Sequence, residues 1–242
     1  TEYSHFQQSN LESSFKNNVF LRIFDQYSPK QWLDLATGKI KTVPKIKLIE
    51  EKYFSFFSES DHFKMHFLEM LKLSQLYFST EQPIIEKFRE FFKWVIENIL
   101  ICKYTTYFAI QLLGNKSKIF KKQDLEFETI YSICKNNAWD LTYLSFWSTQ
   151  YYFENDSSDI YLFATMDKEL KELFFTTHRE SNTPFFETFG DENGKAIINI
   201  MESVYVKREK PEINQIKLDK LIVDETEKLK TILKKHLLSK QI

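Results

Sequence analysis

The chain has 242 residues, of which 43% are hydrophobic, and its 33 Lys+Arg against 34 Asp+Glu give a formal net charge of -1. This apolar content predicts a folded chain with a sizeable core and excludes wholesale disorder, while the balanced charge leaves no overall nucleic-acid footprint. Only four glycines and five prolines occur, which favours long helices over tight turns. The two cysteines, Cys102 and Cys134, exclude a disulfide scaffold and indicate a reducing compartment, so we expect a cytoplasmic protein.

The predicted elements of the first half alternate between helix and strand. Ser28, Pro29 and Gly38 are typical of the cap, first turn and end of a helix. The stretch "KIKTVPKI" predicts a strand from Lys39 to Val43 that Pro44 ends. Apolar spacing then predicts helices over 45–58, 61–79 and 80–113, with a break near Lys103 and a stop at Gly114.

The second half repeats that alternation. The pattern predicts helices over 124–134 and 141–153, separated by "NN" at 136 and 137, a strand over 160–165, a short helix over 167–175 and a loop over 176–195. An amphipathic helix follows Pro211. Its apolar face either packs on its own domain or binds a partner protein. The apolar residues on this face are Leu218, Leu221, Ile222, Leu229, Ile232, Leu233 and Leu237.

The order of elements predicts an α/β fold, a small parallel sheet flanked by helices with a large helical insert and a C-terminal helix. In such sheets ligands bind beyond the carboxyl ends of the strands. Three acids fall near predicted strand ends or at a helix start, namely Glu50, Asp140 and Asp167. Clustered carboxylates are tolerable when a divalent metal neutralises them, and Mg²⁺ or Mn²⁺ prefers oxygen ligands.

Four stretches resemble PIN-domain ribonucleases: "FKNNVFL", "TVPKIKLIEE", "WDLTYLSF" and "LFATMDKEL", the last with the ending T-x-D-x-x-L. The resemblance implies a metal-dependent endoribonuclease in which the acids hold one or two metal ions that activate water against a phosphodiester. It assigns Glu50, Asp140 and Asp167 as catalytic metal ligands, with Asn18 and Thr165 supporting the site. The family's first acidic position carries Lys16 here.

The same resemblance divides the chain into four parts. Residues 1–60 form the first part of a PIN-like domain, 61–123 a helical insert, 124–175 the second part, and 176–242 a loop and C-terminal helical extension. RNA is the expected substrate, and the basic stretch "NKSKIFKK" offers Lys118, Lys121 and Lys122 to phosphates and Phe120 to a base. No Gly-rich phosphate loop occurs, so no nucleotide cofactor is expected.

An alternative function stays open at the level of sequence. Asp140 and Asp167 also fit helix caps, Glu50 fits a solvated helix face, and Lys16 would make the site inactive. The chain is then a catalytically degenerate PIN-like or mostly helical protein-binding module, a subunit of a larger complex. His62 and His66, four residues apart, are expected to be exposed on a helix. The longest apolar run contains Lys103 and hydroxyl side chains, which predicts a buried helix and no membrane span.

Overall fold

The structure is a computed structural model that describes residues 27–44, 60–79, 82–114, 119–120, 126–153, 165, 167–178, 182–206 and 211–239. The chain divides into two compact units, Thr1–Phe57 and Ser58–Ile242. The described residues form eight α-helices and no β-strand. The predicted α/β fold with a parallel sheet is therefore wrong, since every regular element in the described part of the chain is a helix.

In the first unit, α1 spans Pro29–Ala36 and begins as the sequence predicts. Ser28 and Gln31 form a capping box, and Gly38 adopts a φ of 73° just beyond the helix end. The strand expected over Lys39–Val43 does not form. Its alternating pattern is present, but an extended segment becomes a strand only when a neighbour pairs with its backbone, and no segment in the described part of the chain does so.

The second unit contains the other seven helices. They are α2 (Asp61–Phe78), α3 (Ile84–Asn98), α4 (Lys103–Leu113), α5 (Phe127–Phe153), α6 (Lys168–His178), α7 (Thr183–Val206) and α8 (Gln215–Ser239). Helix α2 packs mainly against α5 and α8, α3 against α7, and α4 against α6. The core of this unit therefore lies around α2.

Helix α2 is buried on nearly every side, which is typical of a central helix. Its apolar residues include Phe67, Leu68 and Leu71, all at most 4% exposed. Two lysines of α2 extend their stems to the edge of the core and place their ammonium groups on carboxylates, as long cationic side chains do. Lys64 Nζ lies 2.5 Å from Asp219 Oδ1, and Lys72 Nζ lies 2.5 Å from Glu90 Oε1.

Several helix boundaries confirm the sequence-based expectation. Helix α2 starts at Asp61 as predicted. The long apolar segment breaks before Lys103, where α3 has ended and α4 begins, and Gly114 ends α4. Helix α8 confirms the amphipathic helix after Pro211.

Other boundaries differ. Asn137 does not break α5, because its side-chain amide donates to the Ile133 carbonyl oxygen at 2.8 Å, inside the helix. The loop expected over 176–195 is largely helical, since α6 extends to His178 and α7 begins at Thr183, with a kink at Gly190. Of the second predicted strand, residues 160–164 lie outside the described residues and Thr165 is in no helix or strand.

Candidate functional site

The structure brings together two of the three predicted acids. Asp140 and Asp167 border one cavity of about 420 Å³ beside Glu169. Asp167 caps α6, because its Oδ1 accepts from the Leu170 amide at 3.1 Å, and its own amide donates to Thr165 Oγ1 at 3.0 Å. The positions of Glu50, Asn18 and Lys16 lie outside the described residues.

Asp140 lies in the middle of α5 rather than at the start of a helix. Burial, and then the negative charge of Asp167, raises the pKa of the Asp140 carboxyl from 3.8 to about 6. The shift disfavours the ionised form that a metal ligand needs, but the carboxyl is still mostly ionised at pH 7. Among the described residues, no group of three or more His, Cys, Asp or Glu side chains is arranged to hold a metal ion. The magnesium or manganese site expected at these acids stays a prediction, since Glu50 lies outside the described residues.

The basic stretch expected to bind RNA is only partly described. Lys118, Lys121 and Lys122 lie outside the described residues. Phe120 is buried, with its ring centroid 5.2 Å from that of Tyr77 and 5.1 Å from that of Phe78. A ring held in this aromatic cluster does not stack on a base, so the expected role of Phe120 is wrong.

A second cavity, of about 570 Å³, lies among α2, α4, α5 and α6 and holds a group of chemically reactive side chains. We call it the cysteine cavity. Apolar walls come from Met65, Leu100 and Ile101. The polar groups that line it are Asp61, His62, His66, Glu69, Cys102, Lys103, Tyr104, Ser145, Ser148, Thr177 and His178.

A chain of hydrogen bonds runs through this cavity. His66 Nδ1 lies 2.8 Å from Glu69 Oε2, and His66 Nε2 lies 3.0 Å from Ser145 Oγ. Ser145 Oγ in turn lies 3.3 Å from Cys102 Sγ. The Glu69 carboxylate also accepts from Thr105 Oγ1 at 2.6 Å and from the Cys102 amide at 3.3 Å. A carboxylate, an imidazole, a hydroxyl and a thiol are thus connected in sequence.

The electrostatics of this hydrogen-bonded group favour a charged pair of His66 and Cys102. Burial alone would lower the pKa of His66, but hydrogen bonds and negative charge from Cys102 and Glu69 raise it from 6.5 to about 10. Burial would raise the pKa of the Cys102 thiol, but the positive charge and hydrogen bond of His66 lower it. Cys102 is also the N-cap residue of α4, where the helix dipole favours a thiolate.

The sequence contains only a partial signal of this site. His66 is 2% and Glu69 1% exposed, so the expectation of an exposed His66 is wrong, while His62 is exposed. A His followed by a Glu three residues later on an apolar helix indicates a buried pair. Cys102 and Ser145 lie far away in sequence, and tertiary packing alone brings them together.

Helix α8 has two different faces. Leu218, Leu229 and Leu233 are buried, and Gln75 of α2 donates to the buried Glu225 carboxylate at 2.8 Å. The outer face exposes four large apolar residues: Ile216 (84%), Val223 (62%), Leu237 (40%) and Leu238 (61%). At 3.6 residues per turn, these four fall within about 100° of one another around the helix. We call them the α8 stripe.

Comparisons with known proteins do not place this chain in a family. No family model, no curated protein and no solved structure matches the chain. None of the helices in the described segments is long and apolar enough to cross a membrane.

Proposed function

We propose that the chain is a helical protein-binding module, a subunit of a larger complex, and that an amphipathic helix of a partner protein docks along the α8 stripe. The α8 stripe carries this proposal. Of the two functions expected from the sequence, this one agrees better with the helical structure, because the ribonuclease expectation depended on a parallel sheet. The unpaired cysteines support the cytoplasm as the compartment.

The inner contacts of α8 support its role as a docking surface. Leu218, Leu229 and Leu233 fix the helix on the core, and the bond between Gln75 and Glu225 fixes its position along α2. A helix held in this way presents its outer face in one orientation, which lowers the entropy cost of binding.

The spacing of the α8 stripe favours a helix as the partner. Ile216 and Val223 are seven residues apart, and Leu237 is fourteen beyond Val223, which is the spacing of apolar positions along a helix–helix contact, with Lys230 at the position between them. Lys220 and Lys234 are exposed on the same side, where Lys230 also pairs with Glu227, so the lysines outnumber this acid. We expect acidic residues beside the apolar ones in the partner helix, since opposite charges steer association.

Displayed helices test this proposal and do not require an identified partner. A phage library of amphipathic helices of about 25 residues is selected against the whole chain, and the affinity of enriched helices is measured by titration calorimetry. Val223→Glu should weaken binding by at least about tenfold, since it places a charge in an apolar contact. Leu33→Glu is the matched control, because Leu33 is 59% exposed on α1.

Two other outcomes have clear meanings. Enriched helices that bind the Val223→Glu variant as tightly as the wild type contradict the proposal. A concentration-dependent dimer that Val223→Glu abolishes, measured by light scattering after size exclusion, identifies the docking helix as α8 of a second copy.

A further inference from the structure

We propose that Cys102 is the nucleophile of a second function of this chain, the cleavage of small carboxylic esters through an acyl-thioester intermediate, with His66 as the proton donor and acceptor. The proposal rests on the cysteine cavity, which holds a thiol, an imidazole and a carboxylate in one hydrogen-bonded chain. It is independent of partner binding on α8.

The geometry assigns a role to each polar group. Glu69 accepts from His66 Nδ1 and so directs Nε2 toward Ser145 and Cys102, as the third member of a nucleophile–base–acid group does. With His66 protonated, Nε2–H donates to Ser145 Oγ and the Ser145 hydroxyl donates to the Cys102 thiolate. Ser145 is thus a positioning residue that connects the thiol with the imidazole.

A purely structural role accounts less well for this arrangement. Burying Glu69 and His66 costs free energy that hydrogen bonds only partly offset, so a buried pair of this kind is weak evidence for stability. The group also borders a cavity of about 570 Å³, within the usual range for small-molecule sites. Perturbed titratable groups beside a cavity are typical of functional sites.

The second cysteine separates acyl transfer from thiol–disulfide chemistry. Cys134 is fully buried, its Sγ lies 3.0 Å from Ser74 Oγ, and burial raises its pKa to about 12. These are the only cysteines of the chain, and Cys134 does not line the cysteine cavity. An intramolecular disulfide cycle at Cys102 therefore lacks an accessible second thiol, whereas attack on an ester needs only one.

The reaction proceeds in two balanced steps. The Cys102 thiolate attacks the ester carbonyl carbon, the new C–S bond forms, and the C–O bond to the alcohol breaks as His66 gives its Nε2 proton to the leaving alkoxide. Water then attacks the thioester while the neutral His66 takes one of its protons. The C–S bond breaks, which restores the thiolate and the imidazolium and releases a carboxylic acid.

Alkylation of the whole chain by iodoacetamide at pH 6, followed by mass spectrometry of peptides, tests the thiolate. Cys102 should be alkylated faster than in the urea-unfolded chain, because its lowered thiol pKa gives a larger thiolate fraction at pH 6. Cys134 is the internal control and should stay unmodified. Other titratable groups around the cavity, whose charges also shape this profile, are Asp61, His62, Lys103, Tyr104 and His178.

Incubation with p-nitrophenyl acetate tests the acyl step. We expect a burst of nitrophenol and an acetyl group on Cys102, both lost in Cys102→Ala and retained in Cys134→Ala. Ser145→Ala should slow alkylation at pH 6 more than at pH 9, because it removes a hydrogen bond that lowers the Cys102 pKa, and a merely structural role would not produce this pH dependence. Alkylation of Cys102 no faster than in the unfolded chain, or no acetylation of Cys102, overturns the proposal.

Discussion

His66 Nδ1 lies 2.8 Å from Glu69 Oε2, and both side chains are almost completely buried in the central helix α2. The His66 pKa of about 10 makes this an ion pair at neutral pH. Since one ion buried without its partner costs much free energy, the pair makes α2 sensitive to a change in either side chain. The pair also predicts that the helical core is less stable when Glu69 is replaced or when the pH approaches 10.

Glu69→Gln should destabilise the protein by about 1.5–3 kcal/mol at pH 7, because it removes the charged acceptor of the buried His66 Nδ1–H and leaves Cys102 as the remaining counter-charge. The folded-state pKa of His66, about 10, is higher than its ordinary value of 6.5. The charged His66 therefore contributes its full stabilisation below about pH 6.5 and loses it as the pH rises through about 10. The effect should therefore shrink near pH 10. Urea denaturation followed by circular dichroism at both pH values measures it.

The same substitution at Glu86 is the control. Glu86 pairs with Arg89, and both side chains are about half exposed, 49% and 52%. Exposed pairs contribute little, so Glu86→Gln should cost less than about 1 kcal/mol. Equal losses for the two substitutions would argue against a buried ion pair at His66.

Asp140→Asn should stabilise the protein at pH 7 and have little effect at pH 4. The folded-state pKa of Asp140, about 6, is higher than its ordinary value of 3.8. The carboxyl therefore does not destabilise the wild type below about pH 4, and the free energy of unfolding falls as the pH rises through about 6. The size of this pKa shift implies that Asp140→Asn raises the free energy of unfolding at pH 7 by about 2–3 kcal/mol. Urea denaturation at the two pH values measures the difference.

Asp167→Asn provides a second variant for the same region. Asparagine also caps helices well, so α6 should remain formed, while the pKa of Asp140 should fall because a neighbouring negative charge is lost.

If Asp140 instead binds a metal as a ligand, Mg²⁺ or Mn²⁺ should raise the melting temperature of the wild type, and Asp140→Asn should abolish that increase.

Leu229→Ala should cost about 2–4 kcal/mol, because it opens a cavity between α8 and the core. Val223→Ala on the outer face should change stability by less than about 0.5 kcal/mol. Urea denaturation of the two variants checks which face of α8 packs inward. Similar losses for both would contradict the assignment of the α8 stripe as an exposed surface.

Local signals in the sequence predict individual helices well. Ser28 and Pro29 define the start of α1, and Gly114 ends α4, because capping depends on neighbouring residues alone. The strand prediction at Lys39–Val43 fails because alternation shows only that a segment suits a sheet. Whether a partner strand is present is decided elsewhere in the chain.

The candidate sites were less predictable for the same reason. The acids at 140 and 167 do meet at one cavity, but Asp140 lies within a continuous α5 that Asn136 and Asn137 were expected to interrupt. The cysteine cavity joins residues 66, 102 and 145 of three helices. No motif in one segment contains their spacing, so tertiary packing alone reveals them.

The protonation state of His66 tests the buried charged pair most directly. Nuclear magnetic resonance of the ¹⁵N-labelled imidazole rings follows each histidine as the pH changes, and His66→Gln assigns the signal. We predict that both ring nitrogens of His66 stay protonated at pH 8 and that the ring titrates near pH 10. Partial desolvation against the cavity, and then the positive charge of His66, lower the pKa of His62, so this ring should be neutral well below that pH. A His66 ring that is neutral at pH 8 would contradict the ion pair and the thiolate that depends on it.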